Sequence, residues 1–394
     1  MKKTPYFSWN NGNLPKGCQL CVQGKKLVLF ITGLCPRCCY YCPISDKKYG
    51  QDVIYADEWK VTNVHQIIKE AKLIDAKGAG ITGGDPLCKL ERTLSYIKRL
   101  KKEFGKGFHI HLYSSLDLVD EKTLKKLYSS GLDEIRFHLD FDDSKLWSKV
   151  SLAKEFKWDV GVEVPVIPGK VRETKKLIDF LSGKIDFLNI NELEIADNKF
   201  SKLTKLGFKT KDELSYAVKG SEELALKLLK YSKGKVKNVH YCTATLKDKV
   251  QLANRIKRRA KNIAKQYDII NKDGTLTRGS IYLKELKPSA RYSKKLQNIN
   301  KTKKNKIIKE LNKIRNQLKK DFNIENKQIE VDTKKLRIIT SIKIVNKIKD
   351  DINRSVLENC IKDKNTLKSP KDLYLAIVTE YPTYDGIILD LEFL

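Results

Sequence analysis

The sequence predicts an α/β fold: a partial barrel of six βα units, then a basic, mainly helical extension, then a small C-terminal α+β module. Three observations carry this. Apolar runs of strand length alternate with amphipathic helical segments over about 180 residues, a span that suits a partial barrel better than a closed eight-stranded one. Positive charge is concentrated beyond that span. The final LYLAIVTEYPTYDGIILDLEFL reads as two strands joined by a turn containing Pro and Gly, preceded by a helix around KIVNKIKDDINRSVLENCI. The expected ranges are 1–25 for an N-terminal cysteine-containing segment, 26–208 for the barrel, 209–329 for the extension and 330–394 for the module.

Taken in order, LVLFIT is the first strand, and a helix follows from near Asn63 with Val64, Ile67, Ile68, Ala71 and Ile74 on one stripe. Strand GAGIT comes next, then helix LERTLSYIKRLKKEF, strand FHIHLYS, helix EKTLKKLYSSG and strand LDEIRFHL. Helix DSKLWSKVSLAKEF, strand WDVGVEVPVI, helix ETKKLIDFLS and strand DFLNINELEI complete the series. Such alternation argues for a parallel sheet with right-handed crossovers and functional groups at the C-terminal strand ends. Residues at inward strand positions are His111, Arg136, His138, Asp140, Glu163, Glu192 and Glu194. They serve either as catalytic groups, with Arg136, His138 and Glu163 as candidates, or as a buried polar network filling the barrel.

The 394 residues are 41% hydrophobic and 32% charged, a globular composition that excludes a disordered chain. No apolar run reaches the roughly 18 residues of a membrane span, and MKKTPYFSWNNGN has no signal-like apolar stretch. The expectation is a soluble cytoplasmic protein with no membrane partner. Nine cysteines, an odd number bunched near the N-terminus, fit a disulfide framework poorly and metal ligation better. Cys18-x2-Cys21 followed by Cys35-x2-Cys38 imitates a zinc ribbon but strands Cys39 and Cys42. Cys35-x3-Cys39-x2-Cys42, in GLCPRCCYYCPISD, instead offers three thiolates to a cubane 4Fe-4S cluster and leaves one iron open to a substrate or cofactor.

CPRCCYYC, with its aromatic before the last cysteine, resembles the cluster loop of radical S-adenosylmethionine (SAM) enzymes. GAGITGGDPL, residues 78–87, is similar to that family's glycine-rich segment, with Asp85-Pro86 where Glu-Pro is usual. Together with LPKGCQLCVQGKKLVLFITGLCPRCCYYCP, these resemble an archaeal radical SAM group described as related to pyruvate formate-lyase activating enzymes. The resemblance implies a partial barrel, a 4Fe-4S cluster on Cys35, Cys39 and Cys42, and SAM chelating the open iron. It implies that Thr82, Gly83, Gly84, Asp85 and Pro86 line the methionine amino group and that Tyr41 lies against the adenine. It further implies that Ser114 or Ser115 meets the ribose, that VPVIPG flanks the adenine, and that a ferredoxin- or flavodoxin-like protein donates electrons.

Two features lie outside that pattern. Cys18 and Cys21, with His240 and Cys242 of NVHYC, form a candidate second site for zinc or part of an iron-sulfur cluster, or else are reduced thiols with no metal role. From 233 to 329 there are 28 Lys and Arg against 7 Asp and Glu, much of the chain's net charge of +31. Arg255, Lys257, Arg258, Arg259 and Lys261 crowd one probable helix, while Ile307, Ile308, Leu311, Ile314 and Leu318 form an apolar stripe on another. A basic face of this kind suits a phosphate backbone, with Tyr267, Tyr282 and Tyr292 placed to stack on bases, although lysine-rich helices are also ordinary solvated faces. Three readings result: a radical SAM enzyme acting on RNA, foremost tRNA; one acting on a protein or small molecule, including glycyl-radical enzyme activation; and a non-enzymatic iron-sulfur or zinc nucleic-acid-binding module. The first is the main expectation.

Overall fold

The computed structural model describes residues 1–289, 291–358 and 373–394, so Cys360 lies outside the described residues. The chain forms two compact units, Met1–Arg258 and Arg259–Leu394. The first is built on seven parallel strands: β1 (Lys26–Phe30), β2 (Gly78–Thr82), β3 (His109–Ser114), β4 (Glu134–Phe137), β5 (Asp159–Val166), β6 (Phe187–Glu192) and β7 (Asn238–Cys242). They lie side by side in sequence order. Because each crossover adds a strand in the same direction, the helices share the outer face and the inner face curves on itself as an open barrel. β1 and β7 each pair on their outer edge with an antiparallel strand, Ile54–Ala56 and Trp9–Asn11 respectively.

The alternation expected from the sequence is present through β6, and the structure adds a seventh unit. Helix α2 (Val64–Leu73) is capped by the Asn63 side chain, which accepts from the Gln66 N–H, and helix α4 (Glu121–Ser129) by Asp120. Helices α3 (Leu90–Phe104) and α5 (Val171–Leu181) cover β2 to β6 as anticipated, whereas Trp147–Glu155 forms only a 3-10 helix. Helix α6 (Ser221–Tyr231) and β7 carry the parallel sheet past residue 208, after an irregular segment that interrupts the pattern. Outward residues such as Ile110, Leu112, Ile135, Val162, Leu188 and Val239 are fully buried beneath the helices.

The inner face is polar. Register pairs His111 with Glu134, Tyr113 with Arg136, Glu163 with Asn189, and Asn189 with His240. Helix α1 (Lys16–Val22) enters this interior: the Gly17 N–H donates to Glu134 Oε2 at 3.0 Å, and a Cβ at Gly17 would lie 2.4 Å from the Arg136 guanidinium. The cysteine-bearing N-terminal segment is thus part of the barrel's filling.

The second unit is an antiparallel sheet. Its central strand β8 (Leu276–Leu283) lies between β10 (Arg337–Thr340) and β11 (Leu373–Glu380), with β9 (Ile329–Asp332) and β12 (Ile388–Phe393) outermost. Helix α7 (Lys301–Asp321) buries Ile307, Leu311 and Leu318 in this unit's core, with Ile308 and Ile314 half-buried. The basic stretch contributes the middle strand of a sheet completed by the last residues, so the part of the extension from 259 onward forms one compact unit with the module, while 209–258 belong to the first unit.

At the N-terminal end of the barrel, Lys26 is buried and its Nζ meets Ala79 O at 3.1 Å, His109 O at 2.6 Å and His109 Nδ1 at 2.8 Å. Burial pushes its pKa down to about 7, against the opposing influence of Cys21, Glu134 and Asp133 and together with the repulsion of Arg136. Between that value and the ordinary lysine range, the unfolded chain holds a proton that the folded chain has released. Stability therefore climbs with pH across this window, by up to about 1.4 kcal/mol per unit. Lys26→Met should flatten this slope in chemical denaturation from pH 7 to 10. A slope equal to that of the wild type would remove Lys26 as its source.

Candidate active site

The loop after β1 carries Cys35, Cys39 and Cys42, all free thiols; Cys35 is exposed and the other two half-buried. The Cys42 N–H donates to Cys39 O at 3.1 Å, folding the loop into a turn. Burial raises the Cys39 and Cys42 thiols, so both stay protonated until a metal displaces the proton. A cubane cluster takes one thiolate at each of three corners rather than three around one ion, which suits separate thiols on one short loop.

The Gly-Gly segment is zipped onto the start of this loop. Ile31 N–H donates to Thr82 O, Gly84 N–H to Thr32 O and Asp85 N–H to Leu34 O, each at 2.8 Å. A Cβ on Gly83 would sit 2.5 Å from Thr32 O and one on Gly84 2.3 Å from Leu34 O, so only glycine permits this approach. Pro86 then opens a short 3-10 turn.

Asp85 has a role that the sequence did not suggest. Its buried carboxylate accepts from Ser115 Oγ at 2.7 Å, Ser115 N–H at 2.9 Å, Ser114 Oγ at 3.0 Å and Leu87 N–H at 3.0 Å. Burial raises its pKa while these donors oppose the shift. The three side chains expected to face an amino group and a ribose are thereby committed to one another, tying the end of β2 to the end of β3.

Arg37, inside the cysteine loop, is a second residue that sequence reasoning passed over. Its guanidinium donates to His138 O at 2.9 Å and to Asp140 Oδ2 at 2.6 Å, fastening the loop to the end of β4, and its charge favours the Cys39 thiolate. Tyr41 Oη lies 2.9 Å from His138 Nε2, and His138 Nδ1 lies 2.9 Å from Glu163 O. Burial, with Arg37 nearby, lowers the His138 pKa to about 4, so the ring is neutral. Asn198 donates to Cys42 O at 3.0 Å and Ile44 O at 2.9 Å from the far side.

Deeper in the barrel, Arg136 donates to Glu134 at 2.5 Å, Glu163 at 2.8 Å and Tyr113 Oη at 3.1 Å, and contacts Cys18 Sγ at 3.5 Å. Glu163 also accepts from Asn189 and Asn191. Arg136 and Glu163 thus share an ion-paired polar network inside the barrel, the kind of contact the network alternative calls for.

A zinc ion at the second site finds no support. Among the described residues no three His, Cys, Asp or Glu side chains converge on a point that one metal ion could occupy, as a four-ligand zinc site requires. Cys18 Sγ instead receives Arg136 and Asn189, His240 Nε2 lies 3.2 Å from Ser8 Oγ, and Cys242 Sγ faces Gln251; no such metal contact groups Cys21 with them.

The basic residues also differ from expectation. Arg255 is paired with Asp57 and Glu58, and Arg258 with Asp75 and, at 3.1 Å, Ile74 O, so both guanidiniums are spent within the first unit. Arg259 donates to Pro382 O; Lys257 is half-buried and Lys261 exposed. Tyr267, Tyr282 and Tyr292 are buried, so their rings are closed to nucleobases. Among the described residues no helix is long and apolar enough to cross a membrane.

Comparison with known proteins joins these features. The radical SAM superfamily profile matches residues 29–160, the stretch holding the cysteine loop and the Gly-Gly segment. A protein of Methanocaldococcus jannaschii, provisionally named a glycyl-radical enzyme activating enzyme, is 47% identical over 283 residues, covering 70% of this chain and 75% of that protein. This chain belongs to the radical SAM superfamily. Biotin synthase of Pseudoalteromonas translucida is 29% identical over 124 residues, 30% of this radical SAM enzyme and 34% of that protein. Among solved structures, SuiB of Streptococcus suis bound to S-adenosylmethionine matches with 16% identity and a TM-score of 0.42, covering 56% of this chain and 50% of that one. Membership implies an enzyme whose cofactors are a 4Fe-4S cluster and SAM.

Arg37→Ala should weaken the hold on the loop by on the order of 1 kcal/mol after solvent screening at Asp140, about fivefold in cluster retention. Iron per chain after anaerobic reconstitution and a timed chelator challenge measures this, and retention equal to the wild type would leave Arg37 with no anchoring role.

Proposed function

We propose that this radical SAM enzyme acts on a polypeptide, abstracting a hydrogen atom from a glycine of a partner protein. The observation that carries this reading is the 47% identity to a relative provisionally named a glycyl-radical enzyme activating enzyme, over three quarters of that relative's length. RNA modification has no comparable support, and two of the three arginines expected to dock a phosphate backbone, Arg255 and Arg258, are paired with carboxylates inside the protein.

In this reading Cys35, Cys39 and Cys42 would hold the cluster, and Thr82, Gly83 and Gly84 would line the methionine amino group. When bound, the cluster and SAM supply one-electron cleavage to methionine and a 5'-deoxyadenosyl radical that takes hydrogen from the substrate. The chain's own contribution is placement. Asp85 with Ser114 and Ser115 fixes the strand ends beneath the cofactor, Arg37 and Asn198 fix the cysteine loop, and Tyr41 with neutral His138 forms a wall that offers no acidic proton. The electron comes from a ferredoxin- or flavodoxin-like donor.

The test is anaerobic. The protein is reconstituted with iron and sulfide, reduced with dithionite and given SAM, with and without a purified glycyl-radical enzyme subunit or total tRNA. We expect 5'-deoxyadenosine formation that the subunit stimulates and that Cys39→Ala abolishes, together with a glycyl radical doublet in the electron paramagnetic resonance spectrum of the subunit. Stimulation by tRNA without that doublet would overturn the polypeptide reading.

A further inference from the structure

The segment between β6 and α6 stands out for what it exposes. It leaves the C-terminal end of β6 and first braces the cysteine loop: Asn198 reaches Cys42 O and Ile44 O, Lys202 N–H donates to Tyr40 O at 2.7 Å, and Phe200 stacks on Tyr49 with ring centroids 3.7 Å apart. It then turns into a hairpin of residues 209–219. Lys211 N–H donates to Ala217 O and Lys219 N–H to Lys209 O across the hairpin, while Ile195 N–H donates to Tyr216 O and Val218 N–H to Leu193 O along the strand it adjoins.

On this ordered backbone, Leu214 at the tip is 97% exposed, Tyr216 63% and Leu206 59%. Single exposed apolar side chains are commonplace, but Leu214 and Tyr216 stand two residues apart on one hydrogen-bonded hairpin, with Leu206 exposed on the same segment, and the fold does nothing to relieve their hydration. A backbone already fixed by hydrogen bonds loses little further entropy on association. Between Asp197 and Lys219 the segment also carries six lysines against three carboxylates.

We propose that the 209–219 hairpin is the docking element for the protein substrate, seating Leu214 and Tyr216 in an apolar pocket rimmed by carboxylates. The inference rests on the polypeptide reading above and names where the partner is held. Protein is favoured over nucleic acid because Leu206 and Leu214 are aliphatic. Such side chains fill apolar protein pockets, whereas unpaired bases are held by aromatic or guanidinium planes. Because the same segment contacts Cys42 and Tyr40, the partner would be held beside the loop where the radical forms.

The test uses the full chain and a purified glycyl-radical enzyme subunit. Leu214→Ser combined with Tyr216→Ser should weaken affinity for the subunit about tenfold or more and raise its KM, leaving partner-free 5'-deoxyadenosine formation unchanged. In a second arm, photocrosslinking p-benzoylphenylalanine at position 214 should form an adduct with the subunit. Unchanged affinity in the double variant, or adducts only with tRNA or with a second copy of this chain, would overturn the docking element. An adduct with the subunit but no glycyl radical on it would strike the proposed reaction and leave the docking element standing; a glycyl radical with neither crosslink nor affinity change would do the reverse.

Discussion

The first unit is organised around Arg136, a fully buried cation at the centre of the barrel. Its guanidinium faces Glu134 on its own strand, Glu163 on β5, Tyr113 on β3 and Cys18 on α1. A buried charge stays charged only when its donors are met, and removing one partner of such a pair costs about 3–5 kcal/mol. The register of β3 to β6 and the depth to which α1 inserts must therefore all be compatible with this one set of contacts. The inner face could have been apolar and packed. It is polar instead, and every element lining it is held in place by directional bonds.

Above this floor, the active-site end follows from two short motifs locked backbone to backbone. Gly84 and Asp85 donate to Thr32 and Leu34, so the cysteine loop cannot move without the Gly-Gly segment. The absence of Cβ atoms at Gly83 and Gly84 is what allows that contact, and the Asp85 carboxylate extends it to β3 through Ser114 and Ser115. Arg37 and Asn198 then tie the loop to the end of β4 and to the segment after β6. The result is a loop of metal-ligating cysteines on a rigid support, as one-electron chemistry requires if the radical is to meet a single bond.

The chain's charge needs a different account from the one its composition invites. A net charge of +31 implies an anionic partner, yet Arg255 and Arg258 neutralise Asp57, Glu58 and Asp75. In the second unit, Arg337 and Arg278 gather around Glu380 within the sheet. Much of the arginine content is structural, and the unpaired excess belongs to lysines on solvated faces, where a charge costs little and prevents association.

What the sequence by itself determined is what local pattern encodes. The period of its apolar residues set six strands and their helices, Asn63 marked a helix start, and cysteine spacing with Gly83-Gly84 identified the superfamily. The tertiary structure decided everything that depends on distant residues meeting. Strand β7, only five residues long and set behind an irregular stretch, gained its place by pairing with β6 and not by its own pattern. The burial of Tyr267, Tyr282 and Tyr292, the bond from Arg37 to His138 and the neutralisation of Arg255 by Asp57 lie in the same class. A single sequence reports which residues prefer burial or charge, but the free energy that pairs one charge with another far along the chain exists only once the fold has closed the loop between them.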